Sequence, residues 1–245
     1  MQPSDEPSET PRTLRAAETH VVWFALDLAA ARVEDLSRRL SSDETERAGR
    51  FLHERDRRRY VVCRARLREI LAPHLGTDAT GPRFAYGPQG KPALAVGDGR
   101  LRFNLSRSHE RGVVALRLDA HVGVDIERIQ PVPEAMAIAE RIFAAEEHRA
   151  LRAVPPADFD AAFLGYWTRK EAVVKSTGLG LSYPVNRFVL TAHPSADAER
   201  VDVADDAGPA TRWVMPLSPP DSDYAAALAT EGPAGAVTSH IWDET

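Results

Sequence analysis

Cysteine is almost missing from this chain: Cys63 is the only one in 245 residues. A lone cysteine excludes an intrachain disulfide and a cysteine metal cluster, and it fits a reducing cytoplasm. Long hydrophobic runs are missing too. No stretch approaches the roughly 20 apolar residues of a membrane-spanning helix, and the opening MQPSDEPSETPRT lacks the apolar segment of a secretory signal. There is no surplus of positive charge: 31 Lys and Arg stand against 36 Asp and Glu, for a net charge of −5. That excludes the basic domain which generic nucleic-acid binding favours. No G-x-S-x-G turn of the serine-hydrolase kind is present either. The remaining composition, 43% hydrophobic and 27% charged, is that of an ordinary globular protein.

Residues 1–18 are polar and proline-rich and read as a disordered leader. The run HVVWFALDL, 20–28, reads as a strand. Ser41 or Ser42, followed by Asp43, Glu44 and Glu46, marks a helix start. Tyr60, Cys63, Leu67, Ile70 and Leu71 trace one face of a helix, which makes Cys63 a buried, inert thiol. Pro73 and Gly76 end that helix. Extended segments follow at 83–86, 101–105, 113–118 and 122–127, with a Gly/Pro loop, GPQGKPAL, between the first two. Helical patterns run through Ile142, Phe143 and Leu151 and then over 159–175, stopped by Gly178 and Gly180. Strand-like stretches close the chain at 187–191, 212–215, 224–229 and 236–242. The order strand, helix, strands thus occurs twice. It predicts an α+β pseudo-dimer of two α/β halves, 19–120 and 121–242, with a cleft between them.

Four segments carry residues capable of chemistry, and each also has a plain structural explanation. In GVDIERI, 123–129, Asp125 and Glu127 are two apart and project to one side of a strand. Paired carboxylates repel unless a cation or proton lies between them, and oxygen-only ligands suit magnesium; solvated acids at a strand end are the alternative. In WTRKEAVVK, 167–175, Glu171 and Lys175 are one helical turn apart. They are either an ordinary surface ion pair, or a metal ligand or base with phosphate-binding lysines, Lys170 and Lys175. In FNLSRSHERG, 103–112, Ser106, Arg107, Ser108 and His109 could line a phosphate or form a polar turn. Residues 47–68 hold nine arginines, either a solvated helix face or an anion site.

The succession GKP, FNLS-x-S, GVDIE, WTRKEAVVK and GLGLS resembles the Sfp-type 4'-phosphopantetheinyl transferases, over roughly Phe51 to Phe188. The resemblance implies two similar halves related by a pseudo-twofold axis, with coenzyme A between them. It implies magnesium at Asp125, Glu127 and Glu171, and coenzyme A phosphates on Lys170 and Lys175. Lys91, shaped by Gly90 and Pro92, would stand near the nucleotide. Arg59, or its neighbour Arg58, would hold the 3'-phosphate. The family commonly has S-H-S where this chain has Ser106-Arg107-Ser108, so Arg107 or His109 would stand in for that histidine.

The implied reaction moves the phosphopantetheine arm onto a serine of an acyl or peptidyl carrier protein and releases 3',5'-ADP. Glu171, directly or through a metal-bound water, would be the base, and Lys170, Lys175 and Arg107 would supply charge around the phosphate. The 128–141 stretch, with Met136 and Ile138, is a candidate docking surface for the carrier. The expected protein is a cytoplasmic monomer without nucleic-acid or membrane partners. Two rival readings are a non-catalytic module binding coenzyme A or carriers, and a magnesium-dependent pyrophosphohydrolase.

Overall fold

A computed structural model describes residues 14–87, 92–97, 99–180, 183–190, 198–205 and 208–242. The fold is mixed α+β. One four-stranded sheet has the order β10-β1-β5-β4 and a second has the order β6-β9-β8-β7. The first sheet uses β1 (Thr19–Ala25), β4 (Leu101–Ser108), β5 (Arg111–Leu118) and β10 (Val237–Ile241). The second uses β6 (Val122–Arg128), β7 (Glu199–Asp205), β8 (Gly208–Leu217) and β9 (Tyr224–Glu231). A small hairpin, β2 (Phe84–Tyr86) with β3 (Pro92–Leu94), stands apart from both.

The apolar run in β1 is explained by burial on both faces. Val21 and Trp23 point into a core between the two sheets, together with Val113 and Ala115 of β5 and Val122, Val124 and Ile126 of β6. Phe24 points the other way, into a core shared with the long helix α3 (Glu54–Leu71), where Val62, Leu67 and Leu71 pack. In the second sheet, Leu228 of β9 faces the inter-sheet core, while Ala227 and Ala229 pack against α6 (Phe159–Thr177). The layers therefore run α3, first sheet, second sheet, α6. Cys63 is buried in the first core and its thiol is pushed up by burial, as an inert cysteine requires.

Shorter helices flank these layers: α1 (Ala30–Ser37), α2 (Ser42–Gly49), α4 (Ala135–Ile142) and α5 (Ala145–Arg152). At the start of α2, the Glu44 carboxylate reaches back to the Ser41 N–H at 3.0 Å, the reciprocal bond of a capping box. Glu44 is itself buried and receives Arg64 and Arg68 of α3, each at 2.7 Å from the guanidinium Nε. Much of the arginine-rich segment is thus neither solvated face nor anion site. It pins α2 to α3 through charge-assisted hydrogen bonds.

Several expectations are corrected. Residues 14–18, expected to belong to a disordered leader, are ordered: Leu14 is buried in the first core and Glu18 N–H closes a turn on Arg15 O. Residues 1–13 lie outside the described part. No strand forms at 187–190. Val185–Arg187 is a 3-10 turn, and the Val185 and Phe188 carbonyls are taken by the Lys170 ammonium instead of a ladder. Helix α1 and strand β7 were not anticipated. The final strand, β10, pairs parallel to β1 and so completes the first sheet, although it follows the second in sequence. Among the described residues no helix is long and apolar enough to cross a membrane.

Candidate active site

Strands β4 and β6 are edge strands of their respective sheets, and their side chains join them. Residues two apart share a side of a strand, so Asn104, Ser106 and Ser108 of β4 form one row, all buried. Asn104 Oδ1 accepts the Val124 N–H at 2.8 Å. Ser106 Oγ donates to Asp125 Oδ1 at 2.7 Å. Ser108 Oγ donates to Glu127 Oε2 at 2.7 Å and accepts the Arg128 N–H at 3.2 Å. Ser106, read from the sequence as a phosphate contact or part of a polar turn, is bonded to a carboxylate and also stands on the wall of the cavity described below.

Along β6 the alternation is as expected. Val124 and Ile126 enter the inter-sheet core, and Asp125 and Glu127 point away from it, towards α6. Gly123 allows the helix to approach on that side. A Cβ there would stand 2.0 Å from the Ala172 carbonyl oxygen and 2.5 Å from the Ser176 nitrogen, both backbone atoms. This close approach brings the next turn of α6 onto Asp125. Lys175 Nζ lies 2.5 Å from Asp125 Oδ1 and donates to Ser106 Oγ at 2.9 Å.

The electrostatics are those of crowded acids. Burial pushes the Glu171 carboxyl above its usual range, the negative charge of Asp125 adds to this, and Lys175 opposes it. Burial likewise raises Glu127. There the Ser108 hydrogen bond and Lys175 oppose the rise, while Asp125 and Glu171 reinforce it. Asp125 Oδ2 is buried and has no hydrogen-bond partner among the described residues. Also among those residues, no three His, Cys, Asp or Glu side chains are grouped tightly enough to hold an ion by themselves. Magnesium, however, is characteristically held by one or two carboxylates plus substrate phosphates. An orphaned carboxylate oxygen beside two acids of raised affinity for positive charge suits that shared coordination.

A cavity of about 350 Å³ opens beside these acids, lined by Arg47, Tyr60, Arg64, Tyr86, Arg107 and Lys175, with Ser106 and Pro92 also on its wall. Arg64 is neutralised by Glu44 and donates to the Tyr86 hydroxyl at 2.9 Å. Arg47 lies over the Tyr60 ring at 5.7 Å. Neither Arg47 nor Arg107 has a carboxylate partner among the described residues, so both present uncompensated charge to the cavity. Aromatic walls with free guanidinium groups suit a phosphorylated, ring-bearing ligand.

Not every residue singled out from the sequence reaches this place. Lys170 does not. It is 2% exposed, ion-paired to Glu147 at 2.9 Å and bonded to the Val185 and Phe188 carbonyls at 2.7 and 2.9 Å, so it belongs to the core around α6. Arg59 is buried against Asp27 in a two-armed pair at 2.7 and 2.6 Å and also meets Glu110 at 3.3 Å. Its guanidinium is therefore committed to carboxylates. Arg58 donates to the Leu28 carbonyl at 2.6 Å and lines a separate cavity with Asp27 and Arg55.

His109 occupies the two-residue turn between β4 and β5 at a φ of 50°, with Nδ1 3.3 Å from Ser108 Oγ. Gly90 and Lys91 lie outside the described residues. In the 128–141 stretch, Ile138 packs on the core around α6 and Arg128 pairs with Glu110 and Asp223. Arg47 and Arg64 belong to the arginine run that the sequence offered as an anion site, although neither was singled out within it, and Tyr60 and Tyr86 were not picked out as site residues. Tyr60 and Arg64 are one helical turn apart on α3.

Residues 121–229 match the family model described as the 4'-phosphopantetheinyl transferase superfamily. The chain is 32% identical over 222 residues to the 4'-phosphopantetheinyl transferase HetI of a Nostoc species, covering 90% of each chain. It is 33% identical over 209 residues to the 4'-phosphopantetheinyl transferase psf-1 of Bacillus pumilus, covering 85% of this chain and 86% of that one. A 4'-phosphopantetheinyl transferase of Bacillus subtilis is 30% identical over 168 residues, covering 68% of this chain and 73% of the other. The acids that crowd the seam, Asp125, Glu127 and Glu171, fall within the matched span, and the likeness extends through the arginine-lined half. The chain belongs to the 4'-phosphopantetheinyl transferase family.

Proposed function

We propose that this protein transfers the 4'-phosphopantetheine arm of coenzyme A to a serine of an acyl or peptidyl carrier protein, releasing 3',5'-ADP. Family membership supports the reaction class. The observation that carries the site assignment is the contact of Lys175 with Asp125 and Ser106 beside a cavity whose Arg47 and Arg107 are uncompensated. We take residues 19–120 and 121–242 as two halves related by a pseudo-twofold axis, with the active site in the cleft at their seam. The placement of α3 on one sheet and α6 on the other supports this, and β10 is an element lent back to the first half. The protein works as a monomer in the cytoplasm, with carriers as its macromolecular partners.

In this reading the coenzyme A phosphates lie against Arg47, Arg107 and Lys175, which place fixed positive charge where negative charge gathers. Asp125, Glu127 and Glu171 are the residues that would hold Mg2+, which when bound supplies Lewis-acid neutralisation of the phosphate oxygens. The carrier serine oxygen forms a bond to the β-phosphorus, and the bond to the 3',5'-ADP oxygen breaks. The serine proton passes to Glu171. In the metal-free protein, burial and the Asp125 charge raise that carboxyl and Lys175 opposes them, so it takes up a proton more readily than an exposed glutamate does. Bringing two large substrates into one geometry contributes much of the remaining rate.

The test is the intact mass of apo carrier proteins after incubation with the enzyme, coenzyme A and Mg2+, with and without chelator. A chelator-sensitive gain of one phosphopantetheine group is expected. Free phosphopantetheine without a carrier adduct would make the protein a hydrolase, and unchanged coenzyme A with unchanged carriers would refute catalysis.

A further inference from the structure

Ser106 and Ser108 repeat one arrangement. Each hydroxyl has a single hydrogen and two lone pairs, and each receives an N–H that decides where its own hydrogen goes. Lys175 Nζ donates to Ser106 Oγ at 2.9 Å, and Ser106 Oγ donates to Asp125 Oδ1 at 2.7 Å. The Arg128 backbone N–H donates to Ser108 Oγ at 3.2 Å, and Ser108 Oγ donates to Glu127 Oε2 at 2.7 Å. A backbone amide can only donate, so the Ser108 hydroxyl must present a lone pair to it. Its hydrogen is thereby aimed at the glutamate. The His109 ring nitrogen at 3.3 Å approaches the same oxygen from the turn side. Ser108 is 8% exposed, so no bulk water competes strongly for this bond.

Glu127 needs such a partner more than Asp125 does. Asp125 has the Lys175 ammonium at 2.5 Å. Glu127 has no ion pair at salt-bridge distance among the described residues, and its side chain is longer by one rotatable bond. We propose that Ser108 is a positioning residue for Glu127: it holds the Glu127 carboxylate in the one orientation that the divalent cation and the coenzyme A phosphates share. This rests on the transferase reading above. Ser108 is not among the residues that line the cavity. It acts by removing the rotational freedom of a ligand, the role of outer-shell hydrogen bonds, whose loss typically lowers metal affinity about 10- to 100-fold.

The probe is Mn2+, titrated into the full-length protein with coenzyme A present and followed by electron paramagnetic resonance of the free ion. Ser108→Ala should weaken Mn2+ binding by about 10-fold or more. Ser108→Thr, which keeps the hydroxyl, should return it to within a few-fold of wild type. Thermal melts and coenzyme A binding without metal should be unchanged in both. Because Ser108 works through Glu127, the double variant Ser108→Ala, Glu127→Gln should bind Mn2+ no more weakly than Glu127→Gln alone. Full Mn2+ affinity in Ser108→Ala overturns the proposal, as does additive loss in the double variant or failure of threonine to rescue. If the wild type binds coenzyme A but no Mn2+, the cation assignment itself falls, and Ser108 falls with it.

Discussion

Gly123→Ala is the sharpest perturbation available, because it adds one carbon and no chemistry. That carbon would stand 2.0 Å from the Ala172 oxygen and 2.5 Å from the Ser176 nitrogen, whereas ordinary contacts begin at 3.4 Å. Both obstacles are helix backbone and cannot rotate aside. Helix α6 must therefore retreat from β6 by roughly 1 Å or more, carrying Glu171 and Lys175 away from Asp125. Overpacking of this kind costs about 1–3 kcal/mol of stability, which leaves an ordinary domain folded. A misplacement of about 1 Å at a reacting centre can cost about 100-fold in rate. The variant should thus melt a few degrees lower yet transfer the arm to apo carrier about 100-fold more slowly, read by intact mass against time. Leu228→Ala is the control. It cuts a cavity on the far face of the same sheet and costs about 2–5 kcal/mol, but leaves the β6–α6 distance alone. Near-native turnover in Gly123→Ala, or a loss no larger than that of Leu228→Ala at matched folded fraction, would refute the argument.

Three further outcomes are expected. Asp125→Asn and Glu171→Gln should each lower turnover about 100-fold or more with melting temperature retained, measured by carrier mass shift. Lys170→Met and Lys175→Met should separate cleanly. The first strands Glu147 in the core and should cost about 3–5 kcal/mol in urea titrations while sparing transfer at matched folded fraction; the second strands Asp125 and also costs stability, but it should abolish most transfer even at matched folded fraction. Glu44→Gln should show its cost at neutral pH and lose it in acid. Burial alone would push that carboxyl up, but Arg64, the Ser41 N–H and Arg68 outweigh burial and hold it below the ordinary 4.5. A depressed carboxyl stabilises the fold above its unfolded value and loses that contribution as pH falls through its folded value. The stability gap between wild type and variant should therefore narrow progressively below about pH 4.5; a constant gap would contradict the pairing.

The parts of the site legible in the sequence were those set by local periodicity. Asp125 and Glu127 share a side because strands alternate, and Glu171 and Lys175 share one because helices turn in under four residues. Lys170 was carried to the phosphates with its neighbours in the KEA-x-x-K motif, not by periodicity. It sits in the apolar stripe with Phe163, Tyr166, Val173 and Val174, and a lysine in such a stripe signals a buried counter-charge, here Glu147. The strand leading into Ser106 and Ser108 was legible, with those serines read as a phosphate lining or a polar turn. Its partner was not, because nothing local fixes which residues face across two sheet edges. The same limit hid the return of β10 to β1, and it hid the conversion of the arginine-rich segment into a buried network on Glu44.

That return has a consequence for how the chain comes into being. The Trp23 indole nitrogen donates to Ser239 Oγ at 2.7 Å across 216 positions of sequence, and five pairs of β1 and β10 stand in register. During synthesis from the N-terminus, the first sheet must wait with one flank of β1 uncovered until residues 237–241 have emerged. Contacts so distant close slowly, and an uncovered strand is an invitation to pair with a neighbouring nascent chain. The first sheet is thus completed by a strand made after the whole of the second. Nascent chains halted before residue 237 should be the species that chaperones retain.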